Sequence, residues 1–223
     1  MEDLTLLQRL AVLILPVVLA ITVHEAAHGY VADRLGDRTA RLLGRVTLNP
    51  LRHIDPLGTV LIPLGMYALT GFLFGWAKPV PVNPRNLANP RRGMAVVAVA
   101  GPLSNLAMAL LWSLALVAGK ALLPISSWVG LPLLLMGAAG VLINVILLVL
   151  NMIPLPPLDG GRVLVGVLPR GLARVVAQVE PYGLFILVAL LVSGLLGRFV
   201  TPFVVGAIDL LPGSSVVLSL FFN

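Results

Sequence analysis

Residues 4–32 read LTLLQRLAVLILPVVLAITVHEAAHGYVA. The run is apolar over more than the roughly 20 helical residues needed to cross a bilayer core, yet it carries His24, Glu25 and His28. Outward from this stretch the pattern repeats, with further apolar blocks at 56–76, 94–123, 131–152 and 183–222. Of 223 residues, 59% are hydrophobic and 11% charged, and the mean hydropathy is +1.04. A water-soluble domain of this length needs far more charge to cover its surface. The expected fold is an all-α membrane protein, a polytopic helical bundle of about 5–6 membrane segments.

The breaks between blocks refine this picture. The polar segment 33–55 holds Arg34, Arg38, Arg41, Arg45 and Arg52, and its stretch RLLGRVTLN at 41–49 predicts a short strand. Block 56–76 is punctuated by Gly58, Pro63, Gly65, Gly71 and Gly75 and reads as a short or re-entrant segment. KPVPVNP at 78–84 is extended, because proline excludes helix there. NMIPLPPLDGG at 151–161 must break or unwind a helix. An amphipathic stretch follows at 162–180. The tail 183–222, interrupted by Arg198, Pro202, Asp209 and Pro212, predicts two short spans or one span and a re-entrant piece. The start, Met1-Glu2-Asp3, lacks the basic character of a cleaved signal peptide. Cleavage would also strand the histidines, so the first block is read as a mature helix.

There is no cysteine, so disulfides and thiolate metal sites are excluded and any metal is held by His, Asp or Glu. The net charge of +6 comes from arginines in the loops between apolar blocks, as in cytoplasmic loops of membrane proteins. No basic-aromatic surface pattern accompanies them, and nucleic acid is not an expected partner. Nothing in the chain sets an oligomeric state.

His24-Glu25-Ala26-Ala27-His28 has the form H-E-x-x-H. Residues four apart share one face of a helix, so both imidazoles can reach one ion. Glu25 is displaced by about 100° from His24, which suits a general base acting on metal-activated water. The plain alternative is a chance motif. Inside an apolar helix, however, each ionisable group is costly unless it has a partner, and a shared metal supplies one.

A catalytic zinc needs a third protein ligand and an open position for water. Asp159 is the candidate, at the end of an apolar block and followed by Gly160 and Gly161, which let backbone pack close to an ion. The alternative is that Asp159 caps the next helix in a cytoplasmic loop.

Three motifs together resemble the site-2 protease family of intramembrane zinc metallopeptidases: H-E-x-x-H at 24–28, NMIPLPPLDGG at 151–161 and AGPLSN at 100–105. The resemblance implies one zinc ion bound by His24, His28 and Asp159, with Glu25 as catalytic base. It also implies that Asn151 holds the substrate carbonyl or the oxyanion, a role an amide donor can fill; the alternative for Asn151 is an interhelical hydrogen bond. Gly101 and Asn105 are expected to serve close helix packing. His53 could approach the metal cavity, although a loop histidine is usually solvated. With no internal repeat and no loop long enough for a further folded domain, 1–223 reads as a single integral-membrane peptidase domain, and the resemblance is to a minimal form without a PDZ or CBS domain. Its setting would be a bacterial or archaeal cell membrane, and its substrates transmembrane proteins in the lipid bilayer.

His24 and His28 lie toward the end of the first block and Asp159 at the end of the fourth. To share an ion they must sit at one depth, so the chain between them crosses an even number of times. The third and fourth blocks supply two crossings, which leaves 56–76 re-entrant or lying along the cytoplasmic side. Arginine-rich flanks place the site toward the cytoplasm. Two other classes compete with the peptidase: a metal-binding membrane transporter and a non-catalytic scaffold that binds membrane helices. Neither needs Glu25.

Overall fold

The computed structural model describes residues 5–62, 65 and 77–222. Helix α1 spans Leu6–Arg34 and starts in a capping box, in which the Thr5 hydroxyl accepts from the Gln8 N–H and the Gln8 side chain accepts from the Thr5 N–H. A one-turn helix α2 covers Thr39–Leu42. The long helices α3, Pro90–Leu122, and α4, Ser127–Asn151, form an antiparallel hairpin. Shorter helices follow: α5 at Asp159–Val167, α6 at Arg170–Ala177, α7 at Glu180–Val192, α8 at Leu195–Asp209 and α9 at Ser214–Phe221.

Helices α1, α3 and α4 are each long and apolar enough to cross a membrane, and α6 with α7 would make a fourth span bent by 59°. The chain is thus a helical integral membrane protein. The described residues supply three or four candidate spans; the expected five or six membrane segments also count block 56–76 and the tail. Most of block 56–76, and with it the expected re-entrant segment, lies outside the described residues; its described start, Pro56–Leu61, is a π-helical turn. The tail resolves into α7, α8 and α9, of 13, 15 and 8 residues, each below the roughly 20 that a perpendicular span requires.

No strand occurs among the described residues, which corrects the expectation for 41–49. Gly44 turns the chain at φ +64. The Asn49 N–H bonds the Thr47 hydroxyl, and the Leu51 N–H bonds the Asn49 carboxamide. These local bonds consume the donors a ladder would need. The same device recurs wherever Asn or Asp precedes proline. Asp55, Asn83 and Asn89 each accept from a backbone N–H two or three residues on, so each Asx-Pro pair starts a helical turn.

The bundle is apolar on its outside. Leu103, Leu111, Trp128, Phe185, Phe199 and Phe203 are exposed, whereas Thr22, Asn105, Ser113 and Asn144 are buried. That is the distribution a lipid solvent favours. An apolar core of Leu116, Val141, Val145, Val200, Val204 and Ile208 joins α3, α4 and α8. The α3–α4 hairpin is tight because glycines line it. A Cβ on Gly137 would lie 2.5 Å from the Leu116 nitrogen, and one on Gly119 would strike the Leu134 backbone. This hairpin carries the chain out and back, returning the start of α5 to the end of α1 that bears the histidines.

Candidate active site

His24 and His28 stand one turn apart on α1, with Nε2 atoms 3.0 Å from each other. Oδ2 of Asp159 lies 3.2 Å from Nε2 of His24 and 3.3 Å from Nε2 of His28. All three residues are buried. Their candidate ligand atoms fall within 4.8 Å of one another. Asp159 is the first residue of α5, whose N-cap position is held by Leu158, and its carboxylate turns to the two imidazoles. The bend at 152–158 aims it. A Cβ on Gly160 would lie 2.5 Å from the Ile153 carbonyl oxygen, so the chain can turn this sharply only with glycine next to the carboxylate.

The outer ring nitrogens determine what the inner ones offer. Nδ1 of His28 is 2.8 Å from the Val97 carbonyl, which can only accept. Nδ1 therefore carries the hydrogen in the neutral ring, and Nε2 presents a lone pair. Nδ1 of His24 is 2.6 Å from Oδ1 of Asn105, and that amide is oriented by its Nδ2, which donates to the Ala20 carbonyl at 3.3 Å and to Oδ1 of Asn144 at 2.9 Å. His24 thus also turns a lone pair inward. Two imidazole lone pairs and a carboxylate oxygen that has no hydrogen-bond partner face one another in a buried space. Without a cation such a set is repulsive; with a divalent ion it is a nitrogen-nitrogen-oxygen ligand set of the kind zinc accepts. The residues fit a metal.

Gly101 gives the imidazoles room. A Cβ there would lie 2.5 Å from Cε1 of His24 and 2.5 Å from Nε2 of His28. Gly101 does serve close packing, against the two rings. Asn105 does more than the packing expected of it, because it bonds a candidate ligand directly. Asn144 escaped the sequence reading, although one signal was present: a carboxamide within an uninterrupted apolar run needs a partner.

Glu25 is partly buried, and its Oε2 accepts the Val80 N–H at 2.8 Å. The extended segment around Val80 is pinned on both sides. The guanidinium of Arg45, itself buried, donates to the Lys78 carbonyl at 2.8 Å, and the Lys78 N–H bonds the His53 carbonyl at 2.9 Å. Beyond Val80, the fully buried Asp37 accepts from the Asn83 N–H at 2.6 Å and from the Asn86 amide at 2.8 Å. Burial pushes the Asp37 carboxyl upward, but hydrogen bonds from Thr39, Asn86 and Asn83 outweigh it and hold the group below the ordinary carboxylate range.

Asn151 ends α4 and donates to the Leu147 carbonyl of its own helix at 3.0 Å; no bond joins it to the three converging side chains. His53 is buried rather than solvated, with Nε2 3.0 Å from the Thr47 carbonyl, and it stands apart from the converging group.

The family model for peptidase family M50 matches residues 132–194. YwhC of Bacillus subtilis, named as a candidate zinc metalloprotease, is 38% identical over 191 residues, covering 82% of this chain and 81% of that protein. Rip2 of Mycolicibacterium smegmatis, named in the same way, is 30% identical over 210 residues, covering 90% of this chain and 74% of its own length. Rip2 of Mycobacterium tuberculosis is 33% identical over 185 residues, covering 81% and 66%. No solved structure matches the chain at a comparable level.

Proposed function

The chain belongs to peptidase family M50, and from that premise we propose that it is a zinc metalloprotease that cuts a peptide bond within or near the transmembrane segment of a membrane-anchored protein. The observation that carries this reading is the meeting of His24, His28 and Asp159, with Glu25 beside the histidines on α1. His24, His28 and Asp159 would hold the zinc. Bound there, zinc supplies Lewis acidity toward a peptide carbonyl and toward water.

Glu25 takes the proton of the attacking water and returns it to the leaving amine, the carboxylate being oriented beforehand by the Val80 N–H. Asn151 donates to the developing oxyanion with the amide hydrogen that Leu147 does not use. The helices around the site exclude bulk water, which strengthens each of these interactions.

The site faces the cytoplasm. Arg34, Arg38, Arg41, Arg45, Lys78, Arg85, Arg91 and Arg92 flank the end of the bundle where the histidines and Asp159 meet. The chain has no native cysteine, so a cysteine at Arg85 can be labelled cleanly in intact cells. Labelling by an impermeant reagent from outside contradicts this orientation.

The discriminating experiment for the activity is Glu25→Gln in the full chain, reconstituted with a membrane-anchored reporter whose transmembrane segment is tagged at both ends. The variant retains stoichiometric zinc and loses cleavage by about 1,000-fold or more, as removal of a proton-transfer group and its positioning predicts. A metal transporter or a non-catalytic scaffold would retain its function after this change.

A further inference from the structure

We infer that Asn144 is a positioning residue of the metal centre, which acts through Asn105 to fix the tautomer of His24. The inference rests on the reading of His24, His28 and Asp159 as metal ligands and goes one layer beyond it.

The two histidines are oriented by different means. His28 bonds the backbone carbonyl of Val97, a group that cannot reverse its role. His24 bonds the side-chain amide of Asn105, which can flip and present either oxygen or nitrogen. With oxygen inward, Nδ1 of His24 keeps the hydrogen and Nε2 offers its lone pair to a metal. With nitrogen inward, the amide donates to Nδ1, the ring hydrogen moves to Nε2, and His24 no longer ligates. The direction of the Asn105 amide therefore decides whether the site exists.

Asn144 sets that direction. It is fully buried on α4, and its own amide is fixed because Nδ2 donates to the Gly140 carbonyl at 2.8 Å. Only Oδ1 remains for Asn105, and it accepts from Nδ2 of Asn105 at 2.9 Å. A flipped Asn105 would set oxygen against oxygen here, in a dry interior where an unpaired polar contact is costly. The other acceptor for Asn105, the Ala20 carbonyl, stands farther off at 3.3 Å. The relay runs Gly140, Asn144, Asn105, His24 across three helices, and each member leaves its neighbour one role.

The test uses the full chain in detergent, with zinc as the probe and a chromophoric chelator as competitor. Asn144→Leu keeps the shape and removes the acceptor. Its zinc dissociation constant rises about tenfold or more, the range found when a second-layer partner of a metal-bound histidine is lost. Asn105→Leu raises it at least as much. Adding Asn144→Leu to Asn105→Leu costs nothing further, since the first residue acts only through the second. Asn144→Asp, which still accepts from Asn105, retains zinc binding. In the zinc-free protein, 15N shifts of the His24 ring move toward the Nε2–H tautomer in Asn144→Leu while those of His28 stay put. Should the leucine variant fail to fold, Asn144→Ala removes the same acceptor without a clash and carries the same expectation. Unchanged zinc affinity in the single variant, or losses that multiply in the double variant, overturns the inference. A wild-type chain that binds no zinc overturns the metal-site reading itself and this inference with it, so the two failures are told apart.

Discussion

The Val80 backbone N–H reaches Oε2 of Glu25 at 2.8 Å, joining the loop 77–83 to the helix that carries both histidines. Pro79 and Pro81 flank this donor and have no N–H of their own, so Val80 is the one main-chain donor that 79–81 can offer. A glutamate on a helix face otherwise explores several rotamers, and proton transfer needs it in one. Val80→Pro deletes the N–H and leaves an extended backbone. The expected result is a fall in kcat of roughly tenfold, the order of one charge-assisted hydrogen bond, with KM and zinc content unchanged. Val80→Ala keeps the donor and stays near wild type. Equal losses in both variants would show that packing of the valine side chain matters and the hydrogen bond does not.

Gly101 makes a second prediction. Alanine is the better helix former by about 0.8–1.0 kcal/mol, so Gly101→Ala ought to stabilise α3 if only helix propensity counted. The added methyl would nevertheless sit 2.5 Å from Cε1 of His24 and 2.5 Å from Nε2 of His28. The rings must swing away from Asp159 to make room. Zinc affinity and cleavage then both fall, by about 100-fold on the scale of a misplaced catalytic group, while helix content measured by circular dichroism is retained. Wild-type zinc affinity in this variant would mean that the rings are not held where they stand in the structure.

Much of this was legible in the sequence, and the rest was not for definable reasons. The apolar blocks announced α1, α3 and α4 because a lipid solvent imposes length and composition on a span. H-E-x-x-H and the L-D-G-G turn predicted a meeting that the α3–α4 hairpin delivers. The strand expected at 41–49 failed because alternating apolar residues carry no information about local competitors, and Gly44, Thr47 and Asn49 close turns there instead. The bond of Asn105 to His24, the part played by Asn144 and the Val80 N–H escape a sequence reading for a related reason. Their roles depend on partners 39 to 85 positions away in the chain, a separation that no local pattern records. The sequence leaves His53 open between a place near the metal cavity and a solvated loop; it is buried against the Thr47 carbonyl, a placement that its polar segment does not reveal.

Asp37 makes the strap over Glu25 sensitive to acid. Its carboxyl is held below the ordinary carboxylate range in the folded chain. A depressed folded value means that the group stabilises the fold fully above the unfolded carboxylate pKa, about 3.9. That stabilisation is lost as pH falls through the folded value. Amide hydrogen exchange at Asn83 and its neighbours is therefore slow and flat with respect to strap opening at neutral pH, and opening increases only in acid. Asp37→Asn replaces acceptor capacity facing the Asn86 amide by donors, so the strap opens more at all pH values and loses the acid dependence. An unchanged acid response in Asp37→Asn would assign the effect to another group.

Removal of zinc should expose the strain in the ligand set. The Nε2 atoms of His24 and His28 and Oδ2 of Asp159 stand 3.0 to 3.3 Å apart, close enough that inward-facing lone pairs repel one another unless a cation lies between them. Zinc at 100 times its dissociation constant adds about 2.7 kcal/mol to the stability of the native state. For a chain of this size that raises Tm by roughly 5–10 °C. Asp159→Asn separates ligand binding from packing. Its amide can donate to the inward lone pairs, so the zinc-free variant melts no lower than the zinc-free wild type, yet it gains nothing from added zinc. If instead it melts well below the zinc-free wild type, then the carboxylate contributes to the empty site through a partner other than a metal, such as a proton shared with the imidazoles.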